Sequence, residues 1–457
     1  MAVQNFDIVV LGGGSAGYAT AIRAVELGMT AVVIEKDKLG GTCLHRGCVP
    51  TKAMLQAAEV AEVARDSAHW GVVSEFKGID IEAVGAFRDG IVSKKFKGLQ
   101  GLIKARNITV VDGEGKLVAP NTVQVGDDQY VGKNVVLATG SYSRSLPGLE
   151  IGGRVITSEH ALQMQEIPGS VAILGGGVIG VEFASVWKSF GAEVTIIEGL
   201  PNLVPNEDAT LSKQLERAFR KRKINYKLGV RFQGVTQDEN GVVITLEDGT
   251  TIEADYLLVA VGRGPATAGN GFEEAGITMD RGFVLTNERL QTNVPGVWAI
   301  GDIVPGLQLA HRSYQQGIFV AEEIAGLNPV IIEDVNIPKI TYCEPEVASV
   351  GLSQAKAEEL YGAENVTAFE YNLAGNARSE IIGTGGIVKV VRENDGPVVG
   401  VHMIGGRVGE LIGEAQLIVN WEATPEDMAP LIHAHPSQNE AIAEAMLNLA
   451  GKPLHTM

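Results

Sequence analysis

The chain has 457 residues, enough for about two to four domains, since a single hydrophobic core stops growing near about 250–300 residues. Hydrophobic residues make up 45% and charged residues 20%, which is typical of a globular protein, and no apolar run approaches the ~18 residues of a membrane span. The formal net charge of −18 disfavours nucleic acid as a partner, because phosphate groups would be repelled.

The number of cysteines indicates in which cellular compartment the protein is expected. Three cysteines are too few for the disulfide framework of a secreted protein, and the N-terminal residues lack the basic start and apolar core of a signal peptide. We therefore expect a cytoplasmic protein with no membrane insertion, in which a cysteine pair serves catalysis or metal binding.

The first predicted unit is a strand, a glycine-rich turn, a helix and a second strand. Residues 8–11 form an apolar, β-branched run, residues 18–27 have helical character, and residues 30–34 form a buried strand that ends at Glu35. This is a βαβ unit, and its glycines would allow a tight turn, a close approach to a pyrophosphate and close helix packing. Such a triplet alone is often an ordinary turn, but here strand, helix and acid all lie at the expected positions. The glycines are Gly12, Gly14 and Gly17.

Two cysteines follow this unit, at Cys43 and Cys48. Thiol–disulfide exchange requires two thiols that can bridge and one with thiolate character, and a helix predicted to begin after Pro50 would favour a thiolate. Structural burial of both thiols is the plain alternative. A zinc site is disfavoured because His45 is the one further ligand nearby and Cys343 is distant in the sequence. Redox exchange is the favoured interpretation.

The βαβ pattern then recurs. Residues 170–174 and 193–197 are predicted strands, residues 181–190 are a predicted helix, and Glu198 ends the second strand. A carboxylate at that position accepts hydrogen bonds from ribose hydroxyls and repels a 2′-phosphate, so NAD is favoured over NADP. The glycines of this second turn are Gly175, Gly177 and Gly180.

Three further segments complete the predicted fold. Residues 134–140 and 256–262 resemble the strands that close the two nucleotide folds, and residues 297–302 are a strand that returns the chain to the first domain. From about residue 336 the strands alternate and are followed by helices, which predicts an α+β domain. The notable residues at these strand ends are Thr139, Gly140, Gly262, Gly301 and Asp302.

The C-terminal part contains His433, His435 and Glu440. A histidine is the natural proton carrier near neutral pH, and a carboxylate partner fixes its tautomer. The residues alone leave other possibilities open, namely that both histidines bind a metal or lie in a surface loop.

Taken together, these motifs resemble those of the pyridine nucleotide–disulfide oxidoreductase flavoproteins, over essentially the whole chain. They are Gly-Gly-Thr-Cys-x4-Cys-Val-Pro-Thr-Lys, both glycine triplets, Ala-Thr-Gly, Ala-Ile-Gly-Asp and His-x-His-Pro-x3-Glu. The resemblance implies an α/β protein with two Rossmann-like dinucleotide-binding domains and a C-terminal α+β dimerisation domain. The implied divisions are an FAD-binding domain over 1–148, an NAD-binding domain over 149–270, a central segment over 271–336 and an interface domain over 337–457.

The resemblance also implies roles for individual residues. FAD would be held by the first triplet, Glu35 and Asp302, and NAD by the second triplet and Glu198. Lys52 would lie near the flavin with Glu182 as its partner, the alternative for that pair being a surface salt bridge. Cys43, the more exposed thiol by analogy, would meet the substrate, and Cys48 would meet the flavin. His435 and Glu440 of one subunit would complete the site of the other in a homodimer.

The implied activity is the oxidation of dihydrolipoamide, carried on a lipoyl domain of an acyltransferase or of the glycine-cleavage H protein, with reduction of NAD+. A neighbouring possibility is the reduction of a small disulfide such as glutathione or mycothiol. Such relatives usually bind NADPH through basic residues at this position, and Gly199-Leu200-Pro201 after Glu198 contains none, which disfavours this possibility. A possibility of another class is a flavoprotein kept only for assembly.

Two departures from the family pattern stand out. Ser437-Gln438-Asn439 occupies positions where the family usually has Thr-Leu-Ser. His45 and Arg46 lie between the cysteines, where many relatives carry Asn-Val, and these two side chains either act on the thiols or point to solvent.

Overall fold

The computed structural model describes residues 2–456, which group into two units. The first unit contains residues 2–53, 82–144 and 262–334, and the second contains residues 54–81, 145–261 and 335–456. The linear domain boundaries expected from the sequence stay predictions. The mixed α/β class is confirmed, with a nucleotide-fold sheet in each unit and an antiparallel sheet in the C-terminal part.

The first unit is built on a seven-stranded sheet. The long strand Asp128–Leu137 pairs in parallel with Val3–Leu11 on one edge. On its other edge it pairs first with Thr122–Val125 and then with Val297–Ala299, so the predicted late strand does join this sheet. The remaining strands of the sheet are Ala31–Glu35, Thr109–Asp112 and Gly115–Ala119.

Both faces of this sheet are buried, because its strands alternate side chains between two apolar clusters. Ile8, Val10 and Val136 lie in one cluster, while Val9 and Val135 lie in the other. The helices Ser15–Glu26 and Ala310–Ile324 pack so closely that a Cβ added at Gly317 would lie 2.5 Å from the Ala16 carbonyl oxygen. The unit's other elements are Gly41–Arg46, Ile81–Ala105, Ser141–Ser143, Arg263–Pro265, Met279–Asp280, Phe283–Val284 and Gly301–Ile303.

The second unit contains a five-stranded parallel sheet and a three-stranded antiparallel sheet. The parallel strands, in spatial order, are Asn225–Leu228, Glu193–Glu198, Ser170–Leu174, Tyr256–Val259 and Val155–Thr157. The antiparallel strands are Phe232–Gln237, Val242–Leu246 and Thr251–Ala254. The helices of this part are Ser158–Ala161, Val178–Phe190 and Ala209–Lys221.

The C-terminal part of the second unit is an antiparallel sheet covered by helices, as the sequence predicted. The strands, in spatial order, are Lys339–Thr341, Glu346–Gly351, Val398–Gly405, Ile387–Glu393 and Val366–Asn372. The helices are Gln354–Tyr361, Ala377–Ile381, Val408–Asn420, Pro425–Met428 and Glu440–Leu449. Short 3₁₀ turns lie at Ser67–Trp70, Asp334–Asn336, Ala363–Asn365 and Leu373–Gly375.

One long helix, Cys48–Asp66, differs from the prediction that a helix begins after Pro50. The helix begins at Cys48, three residues before Thr51. Proline is tolerated in the first turn because the backbone N–H that it lacks would have no partner within the helix there. No helix among residues 2–456 is long and apolar enough to span a bilayer.

Candidate functional site

The first glycine turn requires glycine at its first and last positions. Gly12 has a φ of +107°, and a Cβ there would lie 2.2 Å from the Ala138 carbonyl oxygen. A Cβ at Gly17 would lie 1.8 Å from the Gly12 carbonyl oxygen, so the helix can sit this close to the strand only without a side chain. Glu35 holds the turn, since its Oε2 accepts from the Gly13 N–H at 2.7 Å.

The middle glycine of the turn faces open space. The nearest atom to a Cβ at Gly14 is 4.0 Å away, and Gly14 begins the helix Ser15–Glu26 without a side-chain cap. Unpaired N–H groups and the positive helix end are therefore available to a pyrophosphate.

A cavity of about 440 Å³ adjoins this turn within the first unit, and Gly12, Glu35, Tyr142 and Thr139 contribute to its lining. Among the described residues, Thr139 Oγ1 is buried and has no hydrogen-bond partner. A buried hydroxyl without a partner is costly, so one that lines a cavity beside an anion-binding turn fits a polar ligand such as a dinucleotide.

Asp302 is held at the edge of the first sheet by a short chain of polar groups. Ser141 Oγ donates to Asp302 Oδ2 at 2.5 Å, and Arg263 Nε donates to Ser141 Oγ at 2.7 Å. Arg263 also donates to the Ser141 carbonyl oxygen at 2.8 Å. The three glycines predicted beside this chain all have positive φ, at +76° for Gly140, +106° for Gly262 and +75° for Gly301.

The second glycine turn has nearly the same geometry as the first. Gly175 has a φ of +114°, and a Cβ at Gly180 would lie 1.9 Å from the Gly175 carbonyl oxygen. Gly177 has no atom within 4 Å of an added Cβ. Glu198 Oε2 accepts from the Gly176 N–H at 2.7 Å, as Glu35 does in the first turn. The structure therefore contains two glycine turns with the same geometry, and that geometry suits a pyrophosphate.

The two cysteines lie within hydrogen-bonding distance of each other. Cys43 belongs to the short helix Gly41–Arg46, and Cys48 is the first residue of the next helix. Their thiols hydrogen-bond. This segment packs on the first glycine turn, because a Cβ at Gly41 would lie 2.9 Å from the Gly14 Cα. A dithiol is thus fixed beside the first glycine turn.

The expectation that Cys43 is the more exposed thiol is wrong for the single chain. Cys43 is half-buried and Cys48 is exposed, because Cys48 projects from a helix end while Cys43 lies inside its short helix. The hydrogen bond with Cys48, followed by burial, raises the pKa of Cys43 well above its usual range, and the Lys52 charge opposes that rise.

His45 and Arg46 have partners away from the thiols. His45 Nε2 lies 2.8 Å from the Leu39 carbonyl oxygen, and its ring meets Phe96 edge-on at 4.9 Å. Arg46 forms an exposed ion pair with Asp37 at 2.5 Å. These contacts give both residues a structural explanation.

Glu182 and Lys52 lie in different units, and their expected pairing stays a prediction. Glu182 is buried and accepts from the Tyr342 N–H at 2.9 Å. The isolated Cys343 donates to the Pro345 carbonyl oxygen at 3.2 Å, and its burial, with the nearby charges of Glu182 and Glu344, raises the pKa of its thiol far above the usual range. Cys343 is therefore a buried, unreactive thiol.

Each C-terminal histidine is bonded to its own carboxylate. His435 Nδ1 lies 2.8 Å from Glu440 Oε1, and His433 Nε2 lies 2.7 Å from Glu414 Oε1. Burial opposes ionisation of Glu440, but the Ser437 N–H and the His435 ring outweigh it and hold the pKa of Glu440 below its usual value. His435 is exposed, so its second ring nitrogen is accessible to a reactant. Within residues 2–456, no group of three or more metal-ligating side chains is found.

Sequence reasoning missed several supporting residues. Ser141 and Arg263 hold Asp302, and Glu414 and Asn439 bond to each other beside the C-terminal histidines. Ser141 lies 161 residues from Asp302, and Glu414 lies 25 residues from Asn439, so no local spacing could have revealed these contacts. The available clues were that Ser141 and Arg263 directly follow Gly140 and Gly262, and that Asn439 directly precedes Glu440.

Two glycine turns of the kind found in dinucleotide-binding folds, with a dithiol beside the first of them, are typical of an oxidoreductase that passes electrons between a thiol pair and nucleotide cofactors. The chain belongs to the pyridine nucleotide-disulphide oxidoreductase family, whose sequence profile matches residues 6–317, while the family's dimerisation domain matches residues 337–446. FAD and NAD are the cofactors of this family.

Named relatives extend over nearly the whole chain. A dihydrolipoyl dehydrogenase of Bacillus subtilis is 39% identical and covers 99% of both chains. The mitochondrial dihydrolipoyl dehydrogenase of Pisum sativum is also 39% identical, over 98% of this chain and 92% of its own. Among solved structures, LpdA from Mycobacterium tuberculosis superposes with a TM-score of 0.90 at 27% identity, over 98% of this chain and 99% of its own.

Proposed function

We propose that this protein is an FAD-dependent dihydrolipoyl dehydrogenase, which oxidises dihydrolipoamide to lipoamide and reduces NAD+ to NADH. The observation that carries the proposal is the hydrogen-bonded Cys43–Cys48 dithiol, fixed against the first pyrophosphate-binding turn. The identity to dihydrolipoyl dehydrogenases over the full chain supports this substrate.

The thiol chemistry follows from the residues. The cycle starts with a Cys43–Cys48 disulfide. His435 takes a proton from one substrate thiol, and the resulting thiolate attacks Cys43, breaking the disulfide and forming a mixed disulfide. The second substrate thiol then displaces Cys43, so that lipoamide leaves and two reduced cysteines remain. When bound, FAD would supply the acceptor for the electron pair of the two cysteines and the donor of hydride to NAD+.

The residues of the two glycine turns fit this cofactor pair. The first turn, Glu35, Thr139 and Asp302 would hold FAD. Gly12 of this turn, Glu35 and the unpaired buried hydroxyl of Thr139 line one cavity, and Asp302 is fixed by Ser141. The second turn and Glu198 would hold NAD. Lys52, which follows Cys48 by one helical turn, would place its ammonium group near the flavin and the thiols.

The partners are part of the proposal. A homodimer, for which the dimerisation domain gives support, would bring His435 and Glu440 of one subunit to the cysteines of the other. The substrate would be a lipoyl domain of a dihydrolipoyl acyltransferase or of the glycine-cleavage H protein, and the acidic surface would suit a basic docking domain. We propose a cytoplasmic location on the basis of the low cysteine content.

A substrate comparison tests the proposal. The FAD-loaded protein is assayed with dihydrolipoamide and NAD+, and separately with small disulfides and NADH or NADPH. The proposal expects the first reaction to have by far the highest kcat/KM. A preference for a small disulfide with NADPH would contradict it, and so would a failure to transfer electrons from any dithiol.

A further inference from the structure

Residues 433–440, here called the histidine loop, are connected to a neighbouring helix by one carboxylate. Glu414, in helix Val408–Asn420, uses both its oxygens on this loop: Oε1 bonds to His433 at 2.7 Å and Oε2 accepts from Asn439 Nδ2 at 2.6 Å. These contacts lie on either side of His435 in the sequence, and Asn439 is next to Glu440. Glu414 therefore bridges the two ends of the segment that carries the dyad.

The helix that carries Glu414 is firmly anchored. Ile412 and Ala415, on either side of Glu414, are buried in the apolar core of the C-terminal part, as are Ile418 and Val419 one turn further on. A carboxylate on such a helix has little freedom to move, and its hydrogen bonds transmit that fixed position to the loop.

The histidine loop contains buried polar groups that destabilise its folded conformation. Among the described residues, His433 Nδ1 and Ser437 Oγ are buried without a hydrogen-bond partner. An unsatisfied buried polar group is destabilising, whereas a hydrogen bond to a charged group is more stabilising than one between neutral groups. The two bonds to Glu414 therefore help to offset the two unsatisfied groups.

The side chain of Asn439 bonds to Glu414 instead of capping the helix that follows it. It occupies the N-cap position of helix Glu440–Leu449, where asparagine normally caps the helix with its side chain, but no such cap bond is present. Its amide donates to Glu414 instead. Asn439 is also one of the positions where the chain departs from the family's usual Thr-Leu-Ser. A second departure, Gln438, donates to the Gly406 carbonyl oxygen at 2.9 Å.

We infer that Glu414, with Asn439 as its partner, is a positioning residue that fixes the His435–Glu440 dyad for proton transfer. The inference deepens the proposed function and rests on it for the identity of the reaction. Misplacement of a catalytic group by about 1 Å can cost about 100-fold in rate, so the bridge need not touch the substrate to affect turnover.

The test compares FAD-loaded Glu414→Ala and Asn439→Ser with Glu410→Ala, which removes an exposed carboxylate one turn earlier on the same helix. We expect Glu414→Ala to lower kcat for dihydrolipoamide oxidation about 10- to 100-fold, with a smaller change in KM, and Glu410→Ala to leave it unchanged. Asn439→Ser should lower kcat by less while keeping the melting temperature, because serine can cap the helix. A purely structural role would predict the opposite result for Asn439→Ser, with full turnover.

Two further readouts make the result decisive. In a His435→Gln background, Glu414→Ala should cause no further fall in kcat, because the imidazole that Glu414 positions is already absent. Hydrogen–deuterium exchange over residues 433–440 should accelerate in Glu414→Ala and not in Glu410→Ala, and this holds whatever the substrate is. Unchanged exchange, or faster exchange with wild-type kcat, would overturn the inference. A wild-type protein inactive on dihydrolipoamide would instead overturn the proposed function.

Discussion

His435 Nδ1 lies 2.8 Å from Glu440 Oε1, and the second oxygen of Glu440 accepts from the Ser437 N–H at 2.7 Å. Both carboxylate oxygens are therefore engaged, and Glu440 stands at the start of a helix, where negative charge is stabilised. Because Nδ1 faces the carboxylate, the other nitrogen of His435 is the one presented to a substrate. This geometry is what a general base requires.

Replacement of this base should affect turnover without affecting the fold. His435→Gln is expected to lower the rate of dihydrolipoamide oxidation by about 10²- to 10⁴-fold, the usual cost of a lost acid–base group. Steady-state assays of NADH formation measure the effect, and His455→Gln, near the end of the described chain, serves as the matched control. Turnover within twofold of wild type would show that His435 is not the base.

The first glycine turn should not tolerate any side chain at its last position. In Gly17→Ala, the new Cβ would lie 1.8 Å from the Gly12 carbonyl oxygen, so the helix must move away from the strand and the turn must change. We expect loss of FAD and a lower melting temperature. Gly98→Ala, in helix Ile81–Ala105 with no atom within 4 Å of its Cβ, is the control and should be neutral or stabilising by up to about 1 kcal/mol. Normal FAD content in Gly17→Ala would refute the assigned role of this turn.

The nucleotide preference should depend on Glu198. Its oxygens accept from the Gly176 and Leu200 N–H groups at 2.7 and 2.8 Å, which fixes a carboxylate beside the second turn. Glu198→Gln removes the charge that would repel a 2′-phosphate and weakens one of these bonds. We expect kcat/KM for NADH to fall and that for NADPH to rise, changing their ratio by about 10- to 100-fold, in line with the 1.5–3 kcal/mol of a charged hydrogen bond. An unchanged ratio would show that selectivity comes from elsewhere.

A buried ion pair should make the second unit sensitive to acid. Lys389 Nζ lies 2.9 Å from Asp208 Oδ1, and both side chains are almost fully buried. Burial by itself raises the pKa of Asp208, but the hydrogen bonds from Lys389, Thr210 and Gln354 outweigh it and lower the pKa to about 2. Since this folded-state pKa lies below the unfolded value, the stabilisation is complete above about pH 4 and is lost as the pH falls towards 2.

Removal of Asp208 alone should lower the free energy of unfolding more than removal of both Asp208 and Lys389. Asp208→Ala leaves a buried, uncompensated ammonium group, and we expect it to lower the free energy of unfolding by about 3–5 kcal/mol. The double variant Asp208→Ala, Lys389→Met should recover a large part of this loss. Urea unfolding at pH 7 and at pH 3 measures both effects. If Asp208→Ala is as stable as wild type, the ion pair does not stabilise the unit.

The glycine turns could be predicted from sequence because their requirements are local. Each combines a strand, three glycines, a helix and a terminal acid within about 30 residues, and the structure reproduces both arrangements with Glu35 and Glu198 on the turns. The start of the next helix was misplaced, because the helix was expected to begin after Pro50, whereas proline also fits within the first turn of a helix that begins at Cys48.

Long-range relationships could not be predicted. Glu414 reaches His433 and Asn439 across 19 and 25 residues, and Arg263 reaches Ser141 across 122, so tertiary packing alone creates these contacts. The relative exposure of Cys43 and Cys48 was also predicted wrongly. Exposure depends on whether a thiol lies at the end of a helix, as Cys48 does, or inside one, as Cys43 does.

The proposed function requires that the Cys43–Cys48 pair transfer electrons from a dithiol to NAD+. Anaerobic NADH formation by the FAD-loaded protein after addition of dihydrolipoamide and NAD+ measures this transfer, with Cys43→Ser and Cys48→Ser assayed in parallel. We expect one NADH for each dihydrolipoamide consumed by the wild-type protein, and loss of this reaction in both variants. NADH formation at the wild-type rate in either variant would contradict it.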